Sequence, residues 1–273
     1  MPRAEPPRGV RAITSLQNDR VKLIRALEMR KARRETGLFT AEGASVLVMA
    51  RDAGWVPRML VFLAGSARSG IAQGLLAWAE AAGAECLEVS EAVLGKLAAK
   101  DNPQAMLGVF EQRWAADARA DRDGVCVALE AIRDPGNLGT IIRTADAAGA
   151  RGVLLIGNSA DPYSREAVRA SMGSIFNMAV ARMSPEGALA LAAAWPGDVV
   201  GAGLGATADF RAVSYREPTL LVMGSEGPGL SAELAAVCTR LVKIPMAGSL
   251  DSLNLAVATA LMLYEIRRAH LHL

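Results

Sequence analysis

The sequence predicts an α/β protein made of two units, the second built on a largely parallel sheet. Three observations carry this. Short apolar runs alternate with stretches of helical periodicity along most of the chain. Hydrophobic residues make up 52% of the 273 positions while aromatics are only 4%, a mixture that suits helix-covered sheets better than a β-sandwich. The stretch Trp114–Gly124 is polar, charged and without period, so it divides the pattern in two.

The first unit spans 1–112. Residues 1–12 are rich in Pro and Arg and are expected to be disordered. From Asn18 to Arg34, Val21, Ile24 and Leu27 recur at helical spacing, with Asn18 as a cap and Gly37 after the end. A strand is expected over Leu38–Ala41, then a helix over Ala44–Ala53 that stops at Gly54. Met59–Leu63 reads as a strand, 71–82 as a helix, Cys86–Val89 as a strand, Glu91–Ala99 as a helix and Met106–Phe110 as a strand.

A linker at 113–124 leads to a second unit over 125–273. It opens with a buried strand, Val125–Leu129, a loop, and a helix over Asn137–Ala148 closed by Gly149. Val153–Ile156 reads as a strand, Ser164–Arg169 as a helix and Ile175–Val180 as a strand. Pro185 opens a helix to Ala194. Strands are expected at Val199–Gly201, Leu220–Met223 and Leu241–Ile244, and a last helix from about Ser252 to Arg268. Uninterrupted apolar strands separated by helices argue for a parallel sheet covered on both faces.

Composition excludes several function classes. No apolar run reaches the roughly 18 residues that a membrane helix needs. MPRAEPPRGVRA has no apolar core of a secretory leader, so a cytoplasmic protein is expected. Cys86, Cys126 and Cys238 are far apart and read as reduced thiols, neither a disulfide framework nor a zinc site. The two histidines, His270 and His272, lie at the C-terminal tip, so no metal is expected and the chemistry must use other groups. The net charge is only +2, yet residues 3–34 hold ten Lys/Arg against three acids. Among them Arg20, Lys22, Arg30, Lys31, Arg33 and Arg34 are candidates for neutralising RNA phosphates. A solvated basic helix face explains the same charges equally well.

Three loops follow buried strands, the position where ligands collect in open α/β sheets. In Arg133-Asp-Pro-Gly-Asn-Leu-Gly-Thr-Ile-Ile-Arg143, Pro135 and Gly136 fit a tight turn, Asn137 a helix cap, and Arg143 an anion clamp. Arg143 could equally be a structural arginine paired with Asp146 or Glu130. In Leu220-Leu-Val-Met-Gly-Ser-Glu226-Gly-Pro-Gly-Leu-Ser231, glycines let the backbone approach a ligand, and Glu226 is the one acid. It would also suit an ordinary helix N-terminus. In Ile244-Pro-Met-Ala-Gly-Ser-Leu-Asp-Ser252-Leu-Asn254, Ser249, Asp251 or Ser252 could cap the last helix, with Asn254 in its first turn. Gly201-Ala-Gly-Leu-Gly-Ala206 matches a dinucleotide-binding pattern, but a Rossmann site needs a helix directly after it and an acid about 20 residues on. The following segment meets neither condition, so a nicotinamide dehydrogenase is the weakest reading.

Together the loops resemble the three motifs of the SpoU/TrmH branch of the SPOUT methyltransferases. Asn137–Gly149 looks like the first motif, Leu221–Ser231 the second and Ile244–Val257 the third. Ile13–Leu23 and Gly37–Gly43 are similar to the substrate-binding domain of the ribosomal RNA members, which resembles ribosomal protein L30 in fold. The loop at Arg133 departs slightly, reading Arg-Asp-Pro-Gly-Asn where many relatives have Arg-Asn-Pro-Glu-Asn. The resemblance implies an α/β knot with a deep C-terminal trefoil, which periodicity does not reveal. It also implies S-adenosylmethionine as cofactor, held at Gly203, Met223, Gly224, Ile244, Met246 and Leu253. It implies a homodimer through the last helix; the apolar stripe of Leu255, Leu261 and Leu263 there is compatible with a dimer face and equally with plain core. The implied reaction is 2′-O-methylation of a ribose in RNA, most plausibly 23S ribosomal RNA. Arg143 is then the main catalytic residue, with Asn137, Glu226, Ser252 and Asn254 positioning the hydroxyl and the loops. A catalytically silent ribosome-assembly protein and a tRNA ribose methyltransferase are the alternatives.

Overall fold

A computed structural model describes residues 9–67, 70–98, 104–116 and 124–272. The chain folds as two compact units, Met1–Gln112 with Tyr163–Phe176, and Arg113–Pro162 with Asn177–Leu273. Most of the expected linker, 117–123, lies outside the described residues, as do residues 1–8 of the expected disordered tail.

The first unit begins with a strand where disorder was expected: β1 (Val10–Ile13) pairs in parallel with 86–89. Asn18 caps α1 (Asp19–Ala26) by accepting from the Arg20 amide. The single helix expected to Arg34 is two helices. The backbone breaks after Leu27, and α2 (Arg30–Thr36) ends on Gly37 at φ 68°, a conformation that favours glycine. Then follow β2 (Leu38–Glu42), α3 (Ala44–Asp52), β3 (Met59–Leu63), α4 (Gly70–Ala81), β4 (Glu85–Val89), α5 (Glu91–Leu97) and β5 (Met106–Glu111). The sheet order is β1-β4-β3-β5-β2, with β5 antiparallel to both neighbours.

The second unit carries β6 (Val125–Glu130), α6 (Pro135–Ala147) and β7 (Gly152–Ile156). The chain then supplies α7 (Arg165–Ala170) and a 3-10 turn (Ser174–Phe176) to the first unit. The strand expected at Ile175–Val180 therefore does not form as predicted. Its apolar first half is the turn, and the strand starts later as β8 (Ala179–Met183). Phe176 has gone to an aromatic cluster with Phe39, Trp55 and Phe110, which Tyr163 joins through Phe39. The Trp55 indole N–H donates to the Phe176 carbonyl at 2.8 Å.

Next come α8 (Pro185–Ala193), β9 (Val199–Ala202), β10 (Ala208–Asp209), β11 (Thr219–Met223), α9 (Ala232–Val237), β12 (Arg240–Lys243) and α10 (Leu255–Ile266). All seven strands of this unit are parallel, in the order β10-β12-β9-β11-β6-β7-β8. Late strand β11 thus lies between β6 and β9, and α10 returns to pack on α6 and β11. Strands buried on both faces need continuous apolar runs, and every residue of β7 and β11 is buried. The dinucleotide-like glycines lead into a turn and the short β10, with no helix. Among the described residues no helix is long and apolar enough to cross a membrane. Nor does any group of three or more His, Cys, Asp or Glu there suit a metal ion.

Candidate active site

Parallel strands deliver their carboxyl ends to one edge of the sheet, so the segments after β9, β11 and β12 gather there. Together with the start of α10 they enclose a cavity of about 460 Å³. Gly203, Met223, Gly224, Ile244, Met246 and Leu253 all line it, as do Glu226, Ser252 and Asn254. Asn137 and Arg143 do not. The wall is backbone-rich for a steric reason. A Cβ on Gly224 would lie 2.0 Å from the Gly229 carbonyl carbon and 2.1 Å from the Leu230 amide, so only glycine lets the loop fold back on itself. Ser225 and Gly229 close it with two backbone hydrogen bonds of 3.1 Å.

A chain of polar groups ties the three loops together. The Glu226 carboxylate accepts from the Arg133 amide at 3.1 Å, the Asp134 amide at 3.4 Å and the Asn137 side-chain amide at 3.1 Å. Asn254 Nδ2 donates to Asn137 Oδ1 at 2.9 Å, and Asn254 Oδ1 accepts from the amides of Ala256 and Val257. Burial pushes the Glu226 pKa up, but the donors from Asn137, Arg133 and Asp134 outweigh it and hold the group below its ordinary value. Glu226 is therefore a charged acceptor whose lone pairs are largely committed to these loops. A second carboxylate, Glu130 at the end of β6, accepts from the Ser231 amide at 2.8 Å and fixes the far end of the Glu226 loop.

Two capping assignments change. Asp134, not Asn137, caps α6, accepting from the Asn137 amide at 2.6 Å, and Pro135 and Gly136 form the first helical turn. This frees the Asn137 side chain to bridge Glu226 and Asn254. Likewise Asn254 itself caps α10, which begins at Leu255 and leaves Ser249, Asp251 and Ser252 in the preceding loop.

Arg143 is exposed on α6, and among the described residues it has no ion pair or side-chain hydrogen bond. The acids that would make it structural are engaged elsewhere, Asp146 with Asn177 and Glu130 with Ser231. Sequence reasoning did not assign Leu204, Lys243, Asp251, Leu255 or Ala258 to the cavity, which they also line. All stand close in sequence to residues that it did assign, and only the curl of the loops brings them inward.

The basic N-terminal residues fall into distinct environments. Arg33 is buried and donates to the carbonyls of Leu27 and Glu28 at 2.8 Å each. It holds the break between α1 and α2 and is not available to a phosphate, which corrects the expectation for that residue. Arg20 pairs with Glu85 at 2.7 Å, Lys22 with Asp19 at 3.7 Å and Lys31 with Glu35 at 3.9 Å, all on the surface. Arg30 and Arg34 are exposed. The expected stripe on α10 also divides: Leu263 is fully buried, and the exposed apolar residues are Val257, Leu261 and Tyr264.

Residues 124–264 match the model of the SpoU rRNA methylase family, and 18–108 match an MRM3-like substrate binding domain. The chain belongs to the SpoU rRNA methylase family. Membership makes it an S-adenosylmethionine-dependent RNA methyltransferase. A solved rRNA methyltransferase of Sinorhizobium meliloti with bound AdoMet is 44% identical, covering 97% of this chain and 100% of that one, with a TM-score of 0.89. A 23S rRNA (uridine(2479)-2′-O)-methyltransferase of Streptomyces viridochromogenes is 34% identical over 97% of this chain and 95% of its own. The 23S rRNA (guanosine(2553)-2′-O)-methyltransferase of Bacillus subtilis is 30% identical over 94% of this chain and its own full length. In this SpoU-family chain the glycine-walled, apolar cavity fits the adenosine part of the cofactor. Met223, Ile244, Met246 and Leu253 supply its apolar walls beside the Gly224 backbone.

Proposed function

We propose that this chain methylates a ribose 2′-hydroxyl of 23S ribosomal RNA in the cytoplasm. The observation that carries this is the cavity at the carboxyl ends of β9, β11 and β12, joined by Glu226, Asn137 and Asn254 to the helix that bears Arg143, an arginine without an ion pair among the described residues. Relatives covering nearly the whole chain are named as methyltransferases of 23S rRNA at two different nucleotides, which supports large-subunit RNA without selecting a position.

When bound, S-adenosylmethionine supplies an electrophilic methyl group. The protein must bring the hydroxyl into line and favour loss of its proton. A guanidinium offers donors and no acceptor site, so Arg143 is not given the role of base. We assign it to clamping the phosphate beside the target ribose and stabilising the developing charge. Asn137, Glu226, Ser252 and Asn254 hold the loops that position the hydroxyl. The first unit, with Arg20, Lys22, Arg30, Lys31 and Arg34 on its surface, supplies contacts to the RNA backbone. The domain division 1–112, 113–124 and 125–273 is part of this reading.

Two further features belong to the proposal. Insertion of β11 between β6 and β9 before α10 returns to α6 supports a C-terminal trefoil knot. Val257, Leu261 and Tyr264, 49%, 40% and 51% exposed on one face of α10, support a homodimer there.

The test is transfer of labelled methyl from S-adenosylmethionine to total RNA lacking the modification. Label in large-subunit RNA that blocks alkaline cleavage at one nucleotide is the expected result. Label in tRNA alone would overturn the substrate, and cofactor binding without transfer to any RNA would favour a silent assembly protein.

A further inference from the structure

Only three charged residues line the cavity among the described residues: Glu226, Lys243 and Asp251. Glu226 is turned to the loops of Arg133 and Asn137 and is consumed there. Lys243 ends β12, and its register partner on β10 is Asp209. That carboxylate is taken by Arg211, at 3.0 Å from Nε and 2.7 Å from Nη2. Lys243 is thus left without an ion pair among the described residues, as is the exposed Asp251 eight positions on. One lysine against two carboxylates leaves the lining with a net negative charge.

The cofactor carries a sulfonium, an ammonium and a carboxylate, with a net positive charge. Its amino-acid end is a zwitterion that apolar walls and backbone edges alone would leave uncompensated. We propose that Lys243 and Asp251 form the subsite for this end, Lys243 binding the carboxylate and Asp251 the ammonium. The inference rests on the cavity being the S-adenosylmethionine site. It assigns the charged tail to two side chains that have no ion pair among the described residues, and makes the pocket selective for an amino-acid-bearing nucleoside over a bare one.

Equilibrium titration of the full chain tests it, using S-adenosylmethionine, decarboxylated S-adenosylmethionine and 5′-methylthioadenosine. Lys243→Gln should weaken S-adenosylmethionine about tenfold, the scale of one charge-assisted hydrogen bond, and leave the decarboxylated ligand unchanged. Asp251→Asn should weaken both tailed ligands and leave 5′-methylthioadenosine unchanged. Lys243→Arg should retain most of the affinity. Equal loss for all three ligands, or no loss for any, overturns the proposal. A wild-type chain that binds none of them overturns the underlying function instead, so the two failures are distinguishable.

Discussion

Glu226 Oε1 accepts from Asn137 Nδ2 at 3.1 Å, joining the loop after β11 to the first turn of α6. The contact gives Glu226 a fixed, ionised role. Glu226→Gln puts an amide where three N–H donors converge, so at least one is left without an acceptor. Loss of a hydrogen bond to a charged group costs about 1.5–3 kcal/mol. Methyl transfer should fall by about ten- to hundredfold, read as kcat/KM on the RNA substrate.

The pH dependence follows from the same group. Its folded pKa is depressed below 4.5, so its contribution to stability is fully present above the unfolded value and is lost as pH falls through the folded one. Thermal unfolding of wild type between pH 5.5 and pH 3 should show this loss, and Glu226→Gln should reduce it. Between pH 6 and pH 8 the Glu226 group should not titrate. A Glu226-dependent inflection in the rate profile in that range would mean that it acts as a base.

Asn254 has two jobs that substitution can separate. It caps α10 through Oδ1 and donates to Asn137 through Nδ2. Asn254→Ala should cost about 1 kcal/mol of stability as a lost cap, together with most activity. Asn254→Asp keeps the cap but has no N–H for Asn137, so the melting temperature should hold while transfer falls.

Glycines around the cavity are not equivalent. Gly224→Ala forces a Cβ into the Gly229–Leu230 backbone, and cofactor affinity should be lost with it. A Cβ at Gly205 meets nothing within 4 Å, so Gly205→Ala should bind cofactor normally. Titration calorimetry on both variants checks the contrast.

Phe39 is fully buried against Trp55, Phe110, Tyr163 and Phe176. Phe39→Ala should destabilise the chain by about 3–5 kcal/mol, measured by denaturant unfolding. Deleting 1–112 would strip Tyr163 and Phe176 of these partners, so such a truncation should be less stable than its own sheet implies.

What could be read from the sequence was whatever has a local cause. The apolar runs of β3, β6 and β11 mark strands because both faces are covered, and Gly37 marks a helix end because φ there is positive. The motif order at Asn137, Glu226 and Asn254 pointed to one site. The errors arose where distant contacts decide. Ile175 and Phe176 read as a strand because the aromatic cluster that claims Phe176 is remote in sequence. Arg33 read as a phosphate ligand because its charge is visible and its burial against Leu27 and Glu28 is not. Asn137 read as a cap because Asp134, three residues earlier, competes for the same role.

The most direct test of the account measures cofactor affinity and methyl transfer side by side for wild type and Arg143→Ala. Arg143 lies outside the cavity and has no side-chain partner among the described residues. The prediction is an unchanged dissociation constant for S-adenosylmethionine with transfer to RNA reduced at least about hundredfold, the scale of a lost group that stabilises transition-state charge. Near-normal transfer by the variant would contradict the assignment of Arg143 to the reacting ribose and its phosphate.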